Sequence, residues 1–273
     1  MNSDKTSDRD ITAQDMRVDG AGGRLFVRRW STGGAEGAGL PPVILLHDSL
    51  GCVELWRDFP ARLAGATGRT VVAYDRLGFG RSDPHPGRLD LTFVRDEARG
   101  AFSTLCARLG IGDFVVFGHS VGGGMAVGVA GAFPERCRAL VTVSAQAFVE
   151  DRTTEGIREA KRGFDQPGQM DRLRRYHGEK AQWVLDAWVE TWLSPQFASW
   201  TLDGDLPAVR CPALIIHGDQ DEYGSTSHPE RLAALTAGPA TVGILPGCGH
   251  VPHREAAPAV IDMVARFLRR EAR

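Results

Sequence analysis

The stretch FVVFGHSVGGGMAVGVAG, Phe114 to Gly131, decides how the chain is read. Bulky apolar residues run up to Gly118, Ser120 stands between glycines, and small residues follow for a dozen positions. A buried-type strand leading straight into a small-residue helix predicts a sharp turn at Gly118-His119-Ser120-Val121-Gly122. Such a turn strains the backbone of its central residue and brings strand and helix so close that the flanking positions must lack a bulky Cβ. Gly118 and Gly122 meet that need. The turn also raises the serine oxygen above the sheet, beside the first N–H groups of the helix and the positive end of its dipole.

Working outward, short apolar runs recur at RLFVRRW (24 to 30), PVILLH (42 to 47), TVVAYD (70 to 75), ALVTVS (139 to 144), ALIIHG (213 to 218) and ATVGIL (240 to 245). Most are continuous rather than alternating, as strands covered on both faces must be. Helical stretches are predicted near 53 to 66, 92 to 109, 120 to 132, 229 to 237 and 256 to 270. This alternation predicts an α/β fold with a doubly wound, mostly parallel sheet. From about Gln146 to Asp205 the rhythm stops, and four of the six tryptophans gather there: Trp183, Trp188, Trp192 and Trp200. Val184, Trp188 and Trp192 follow at i, i+4 spacing, an apolar stripe on a helix. The expected organisation is a core of residues 17–145 and 206–273, an inserted helical cap over 146–205, and a disordered leader over 1–16. STGGAEGAGLPP (31 to 42) reads as a flexible connector. The indoles either seal the seam between cap and core or line an apolar substrate pocket. For that pocket the candidates are Leu50, Trp56, Phe148, Trp188 and Trp192.

Bulk properties exclude several classes. With 273 residues the chain holds one large domain, and a net charge of −2 offers no clustered basic surface for nucleic acid. No apolar run is long enough to cross a bilayer, and the polar start MNSDKTSDRDITAQD lacks the core of a signal peptide. Five scattered cysteines, an odd number with no C-x-x-C pair, argue against a zinc site or a disulfide framework and fit a cytoplasmic location. No G-x-G-x-x-G opens a helix, so no dinucleotide site is expected. The partner expected is a small-molecule substrate, with no metal and no organic cofactor, and the sequence leaves monomer and homo-oligomer open.

A serine hydroxyl becomes a nucleophile only when a base takes its proton and a third group orients that base. Of eight histidines, His250 lies in the glycine-flanked loop LPGCGHVPHREA, after the last strand and before the last helix. His253 reads instead as a helix-start residue or one behind the site, and Cys248 as a small buried residue. IIHGDQDEYG (215 to 224) supplies the acid after the penultimate strand: Asp221 is far enough from the strand end to turn toward a histidine, whereas Asp219 suits the turn. Backbone N–H groups of Val121 and, in the loop after the strand ending at His47, Ser49 are the expected oxyanion donors.

With VILLHDSLG, YDRLGFGRSD, FGHSVGGG, LIIHGDQDE and GCGHVPHREA, the chain resembles the α/β-hydrolase superfamily from about residue 20 to its end. The resemblance implies a Ser-Asp-His triad of Ser120, Asp221 and His250, and assigns Asp75, Arg76 and Ser82 of the turn DRLGFGRSD to architecture. The insertion SAQAFVEDRTTEGIREAKRGF and its Trp-rich continuation resemble the valacyclovir-hydrolase or biphenyl-hydrolase-like subgroup. Two departures stand out. Many relatives have His-Gly where this chain has His47-Asp48, so Asp48 is expected to reach a positive φ. Amino-acid-ester hydrolases of the valacyclovir type carry an acidic residue directly after the nucleophile, where this chain has Val121. The expected activity is therefore cleavage of a small carboxylic ester with a neutral or apolar acyl group through an acyl-enzyme. The alternatives are C–C bond hydrolysis or lysis, or lactone opening, with the same triad, and outside enzymes a silent ligand-binding module.

Overall fold

In the computed structural model, which describes residues 11–20, 22–33 and 39–271, eight strands form one sheet in the order β1-β2-β4-β3-β5-β6-β7-β8. They are β1 (Ile11–Gly20), β2 (Gly23–Thr32), β3 (Val43–Leu46), β4 (Val71–Tyr74), β5 (Phe114–His119), β6 (Cys137–Val143), β7 (Ala213–Gly218) and β8 (Ala240–Leu245). From β4 across to β8 every pairing is parallel, and only the β1–β2 hairpin and its junction with β4 run antiparallel. Successive residues of a strand face opposite sides, so continuous apolar runs must feed two cores. Val43, Leu45, Val115 and Phe117 pack against α1 (Phe59–Thr67) and the C-terminal helix, while Ile44, Leu46, Phe114 and Val116 face the other core. That second core holds Val94 of α2 (Phe93–Glu97), Leu105 of α3 (Ser103–Leu109) and much of α4 (Val121–Ala132).

The seven expected strands are present, and β1 is an addition. It contradicts the disordered leader at residues 11–16, which pair with β2 from Ile11↔Thr32 to Met16↔Val27. Residues 1–10 of that leader, and 34–38 of the expected connector, lie outside the described residues. β1 escaped the reading because it is an edge strand with one buried side chain, Val18, so its sequence shows no apolar run. Between β6 and β7 stand α5 (Asp151–Phe164), α6 (Gln169–His177) and α7 (Ala181–Trp192). After β7 come α8 (Ser227–Leu235), α9 (Pro252–Glu255) and α10 (Ala257–Glu271). Among the described residues no helix is long and apolar enough to cross a membrane.

The tryptophans of the insertion divide their labour. Trp183 packs edge-on against Phe79 and stacks on His85, closing the seam above the loop after β4. Trp192, Phe197 and Trp200 form an aromatic cluster with centroids 5.2 to 5.5 Å apart. Trp188 meets Tyr223 beside the cavity.

The chain runs from β3 to β4 on one side and returns to β5 on the other, which opens a crevice at the C-terminal ends of β3 and β5. The turn at its centre is as tight as the glycines imply. A Cβ on Gly118 would stand 2.0 Å from the Gly122 carbonyl oxygen, and one on Gly122 would stand 2.2 Å from that of Leu46. Backbone oxygens cannot step aside as a flexible side chain can, so Gly122→Ala is expected to cost about 3 kcal/mol, a Tm drop on the order of 10 °C. Gly163→Ala, with nothing within 4 Å of the new methyl group, is the control and should leave Tm unchanged or raised. Equal Tm values for the two variants would refute the steric argument.

Candidate active site

Ser120 sits at φ 56°, ψ −126°, between β5 and α4, the strained conformation expected of the turn. Its Oγ lies 3.0 Å from His250 Nε2, and His250 Nδ1 lies 2.9 Å from both Asp221 oxygens. The three residues come from the ends of β5, β7 and β8, and all are buried. Asp221 Oδ1 also accepts the N–H groups of Tyr223 and Gly224, so its carboxylate is fixed before His250 arrives. Burial alone would raise the Asp221 carboxyl, but the hydrogen bond and charge of His250 leave it below its ordinary range. For His250, burial works to lower the pKa, yet the hydrogen bond and charge of Asp221 raise it above the ordinary imidazole value, with Glu222 and Asp48 adding to the effect.

Peptide planarity orients the two N–H groups expected to be the oxyanion donors. A trans peptide points its N–H opposite its C=O. The Asp48 carbonyl accepts from His47 Nδ1 (2.8 Å), Arg76 Nη2 (2.8 Å) and Gly51 N (3.2 Å), so it is held inward and Ser49 N–H faces the other way. His47 can donate from Nδ1 because its Nε2 accepts the Arg76 N–H. The Ser120 carbonyl accepts from Gly123 N and Gly124 N along the helix, which turns Val121 N–H toward the free end. Both N–H groups lack an acceptor among the described residues.

These contacts correct one expectation and extend another. Asp48 does not adopt a positive φ: among the described non-glycine residues only Arg57, Ser120 and Ser144 do. The loop reaches its shape through the three hydrogen bonds to the Asp48 carbonyl rather than through backbone strain. Arg76 is more than a turn residue, since its guanidinium braces that loop and lies over the Phe79 ring. Asp75 accepts Val53 N and Arg81 N, and Ser82 bridges Phe26 N and the Asp75 carbonyl, both as architecture. The insertion clamps the same region from above. His177 Nδ1 accepts Gly80 N, which leaves its Nε2–H to donate to the Leu50 carbonyl, and burial pushes its pKa down to about 4, so the ring is neutral.

A cavity of about 210 Å³ opens over Ser120 and His250. Leu50, Trp188 and Trp192 line it as expected. Trp56 does not: its indole is buried in the core against Phe59, Phe117 and His253. Phe148 does not either, because its ring turns to His228, 4.5 Å away, beneath Arg231. His253 lies in the first turn of α9 and contacts Trp56 and His119, so it stands behind the site. Asp219 accepts the Gly247 N–H, joining the two loops rather than bonding its own backbone.

Sequence reasoning missed Asp48, Gln146, Thr153, Ile157, Glu222 and Tyr223 as part of the lining. Tyr223 and Glu222 directly follow Asp221 and were within reach of the reading. Gln146, Thr153 and Ile157 depend on how the insertion folds back, for which no local signal exists. Glu150 was also missed: it accepts Ser225 N and Oγ and pairs with His228, tying the start of the insertion to the acid loop.

The family model described as the alpha/beta hydrolase fold matches residues 41–183, more than half of the chain. The chain belongs to the alpha/beta hydrolase fold family. This alpha/beta hydrolase is 30% identical to the serine hydrolase BPHL of Homo sapiens over 207 residues, 72% of this chain and 68% of the relative. It is likewise 30% identical to a dihydrolipoyllysine-residue acetyltransferase component of an acetoin cleaving system from Pseudomonas putida, over 91% of this chain and 68% of that one. Among solved structures it resembles the 2-hydroxy-6-oxo-6-phenylhexa-2,4-dienoate hydrolase of Rhodococcus sp. strain RHA1, with TM-score 0.76 and 18% identity over 95% and 100% of the two chains. The alpha/beta hydrolase thus has serine hydrolases among its relatives and is itself an enzyme of the hydrolase class.

Proposed function

We propose that the protein hydrolyses small carboxylic esters with an uncharged acyl group through an acyl-enzyme. The observation that carries this reading is the continuous relay from Asp221 through His250 to Ser120, opening on a small cavity. Ser120 Oγ attacks the scissile carbonyl while His250 Nε2 takes its proton. Asp221 holds the Nδ1–H tautomer and supports the imidazolium. Ser49 and Val121 N–H groups bind the oxyanion. When the tetrahedral intermediate collapses, His250 returns the proton to the leaving alkoxide. Water, activated by the same imidazole, then releases the carboxylic acid and restores Ser120.

Two features of the cavity support this substrate class over a ring-fission acid. Its volume lies below the roughly 300–1,000 Å³ usual for drug-sized ligands. Its lining includes the acidic residues Asp48 and Glu222 and, among the described residues, no Lys or Arg, so a substrate carboxylate meets repulsion with no compensating cation. The lining therefore has a negative bias that Val121 alone did not reveal, and anionic acyl groups are the ones it rejects.

Turnover of p-nitrophenyl acetate and butyrate should exceed that of a monoanionic hemisuccinate ester by about 100-fold in kcat/KM, and lactones and vinylogous diketones should be slower still. A panel in which activity is confined to the diketones, or in which the anionic ester is preferred, would refute the proposal. Failure of a fluorophosphonate probe to label Ser120 would favour a silent binding module.

A further inference from the structure

Gln146 has no part in the relay, yet it is buried, lines the cavity and places Oε1 3.4 Å from Ser120 Oγ. Ser120 has one hydroxyl proton, and His250 Nε2, at 3.0 Å, is the nearer acceptor. Gln146, which lines the cavity, is thus left with hydrogen-bonding capacity beside the nucleophile. An amide that faces a cavity can exchange water for a ligand atom that matches its donor or acceptor.

The side chain is held there from both sides. Ser144, at φ 49°, turns the chain off β6 with its N–H on the Ile216 carbonyl. Next, Ala147 N–H donates to His228 Nδ1, and the Ala147 carbonyl accepts from Leu202 N and Thr201 Oγ1. With the backbone pinned before and after it, Gln146 has little freedom to withdraw.

Geometry says which part of a substrate it meets. A tetrahedral carbon on Ser120 has three further substituents. Its oxyanion points to the N–H groups of Ser49 and Val121, and its leaving oxygen must face His250 Nε2 to be protonated. Only the acyl substituent remains. β6 pairs with β5 on the side opposite β3, so Gln146 enters across Ser120 from the Ser49 loop, and its amide stands within reach of the substituent that neither the N–H groups nor His250 engage. In the acyl-enzyme the acyl α-carbon is two bonds from Oγ, and an oxygen on it comes within hydrogen-bond reach of an amide at that distance.

Resting on the ester-hydrolase reading, we propose that Gln146 is a specificity-determining residue that hydrogen-bonds an uncharged oxygen on the acyl α-carbon, so that α-hydroxy or α-alkoxy esters are preferred over their plain counterparts. An amide both donates and accepts, which suits a hydroxyl as well as an ether.

The test compares kcat/KM for methyl lactate, methyl 2-methoxypropanoate and methyl propionate. Wild-type enzyme should favour the two α-oxygenated esters by about tenfold beyond the ratio of their hydroxide-catalysed hydrolysis rates, the worth of one neutral hydrogen bond. In Gln146→Leu that excess over the hydroxide-catalysed ratio should disappear, and Gln146→Glu, which keeps an acceptor, should retain preference for lactate over the methoxy ester. Fluorophosphonate labelling of Ser120 in each variant verifies that the site is folded. If wild-type enzyme labels and hydrolyses propionate but shows no α-oxygen preference, or if Gln146→Leu keeps that preference, the role of Gln146 is overturned while the hydrolase reading stands. A preference for 2-hydroxyethyl propionate over methyl propionate that Gln146→Leu abolishes would place the contact on the leaving group and overturn the acyl assignment. No labelling and no ester turnover in wild-type enzyme would overturn both.

Discussion

Ser120→Ala is expected to lower kcat on p-nitrophenyl butyrate by about six orders of magnitude, with the fold intact. The magnitude reflects a relay that works as a unit: with no hydroxyl to activate, His250 and Asp221 have no nucleophile to serve. The residual rate would come from the N–H groups of Ser49 and Val121 and from substrate binding. Stability should change little, since among the described residues Ser120 Oγ bonds only His250 and Gln146, and alanine meets the same φ of 56° that serine already bears. Steady-state kinetics and thermal unfolding on the same preparation decide the matter. Turnover within tenfold of wild type would remove Ser120 from the nucleophile's role.

Asp221→Asn carries the second largest expected effect, about a 10⁴-fold loss in kcat, because an amide that donates to Nδ1 selects the wrong tautomer and no longer supports the imidazolium. The pH profile adds an independent sign. His250 must be neutral to accept the Ser120 proton, and its pKa is raised above 6.5, so wild-type kcat/KM should fall as pH drops through a value above 6.5. With the charge of Asp221 gone, burial dominates and the acid limb should move to lower pH while the plateau collapses. Stability runs the other way. Asp221, lowered below 3.8, contributes fully above that pH and loses its contribution as pH falls through its folded value. His250, raised, contributes fully below pH 6.5 and loses its contribution as pH rises through its folded value. The enzyme therefore gains activity over the range in which this ion pair's stabilisation fades. An acid limb unmoved by the substitution would show that His250 does not govern the profile.

Particular residues show where reading the sequence succeeded. The parallel strands were legible because a strand covered on both faces is apolar over most of its length, as β3 is throughout and β5, β6 and β7 are apart from His119, Arg138, Thr142 and His217. β1 was not legible, since an edge strand that buries only Val18 leaves no such trace. Ser120 was marked by the glycines that a tight turn demands, and their Cβ clearances of 2.0 and 2.2 Å show why no larger residue serves. Asp221 and His250 were marked by following strand ends in the right order. Trp56 and Phe148 were misplaced because an aromatic side chain suits a core and a pocket equally well, and only packing separates the two.

The sequence by itself determined the sheet, the turn and the order of the three relay residues, because each follows from local demands: burial on two faces, clearance at a turn, position after a strand. The tertiary structure alone decided what the cavity is made of. Gln146, Thr153, Ile157, Asp48 and Glu222 meet there from segments as far apart in the chain as Asp48 and Glu222. Their convergence depends on how the insertion closes over β5, a matter of long-range packing that leaves no periodicity to read. Charge and size of the cavity, and with them the choice of substrate, arise at that level.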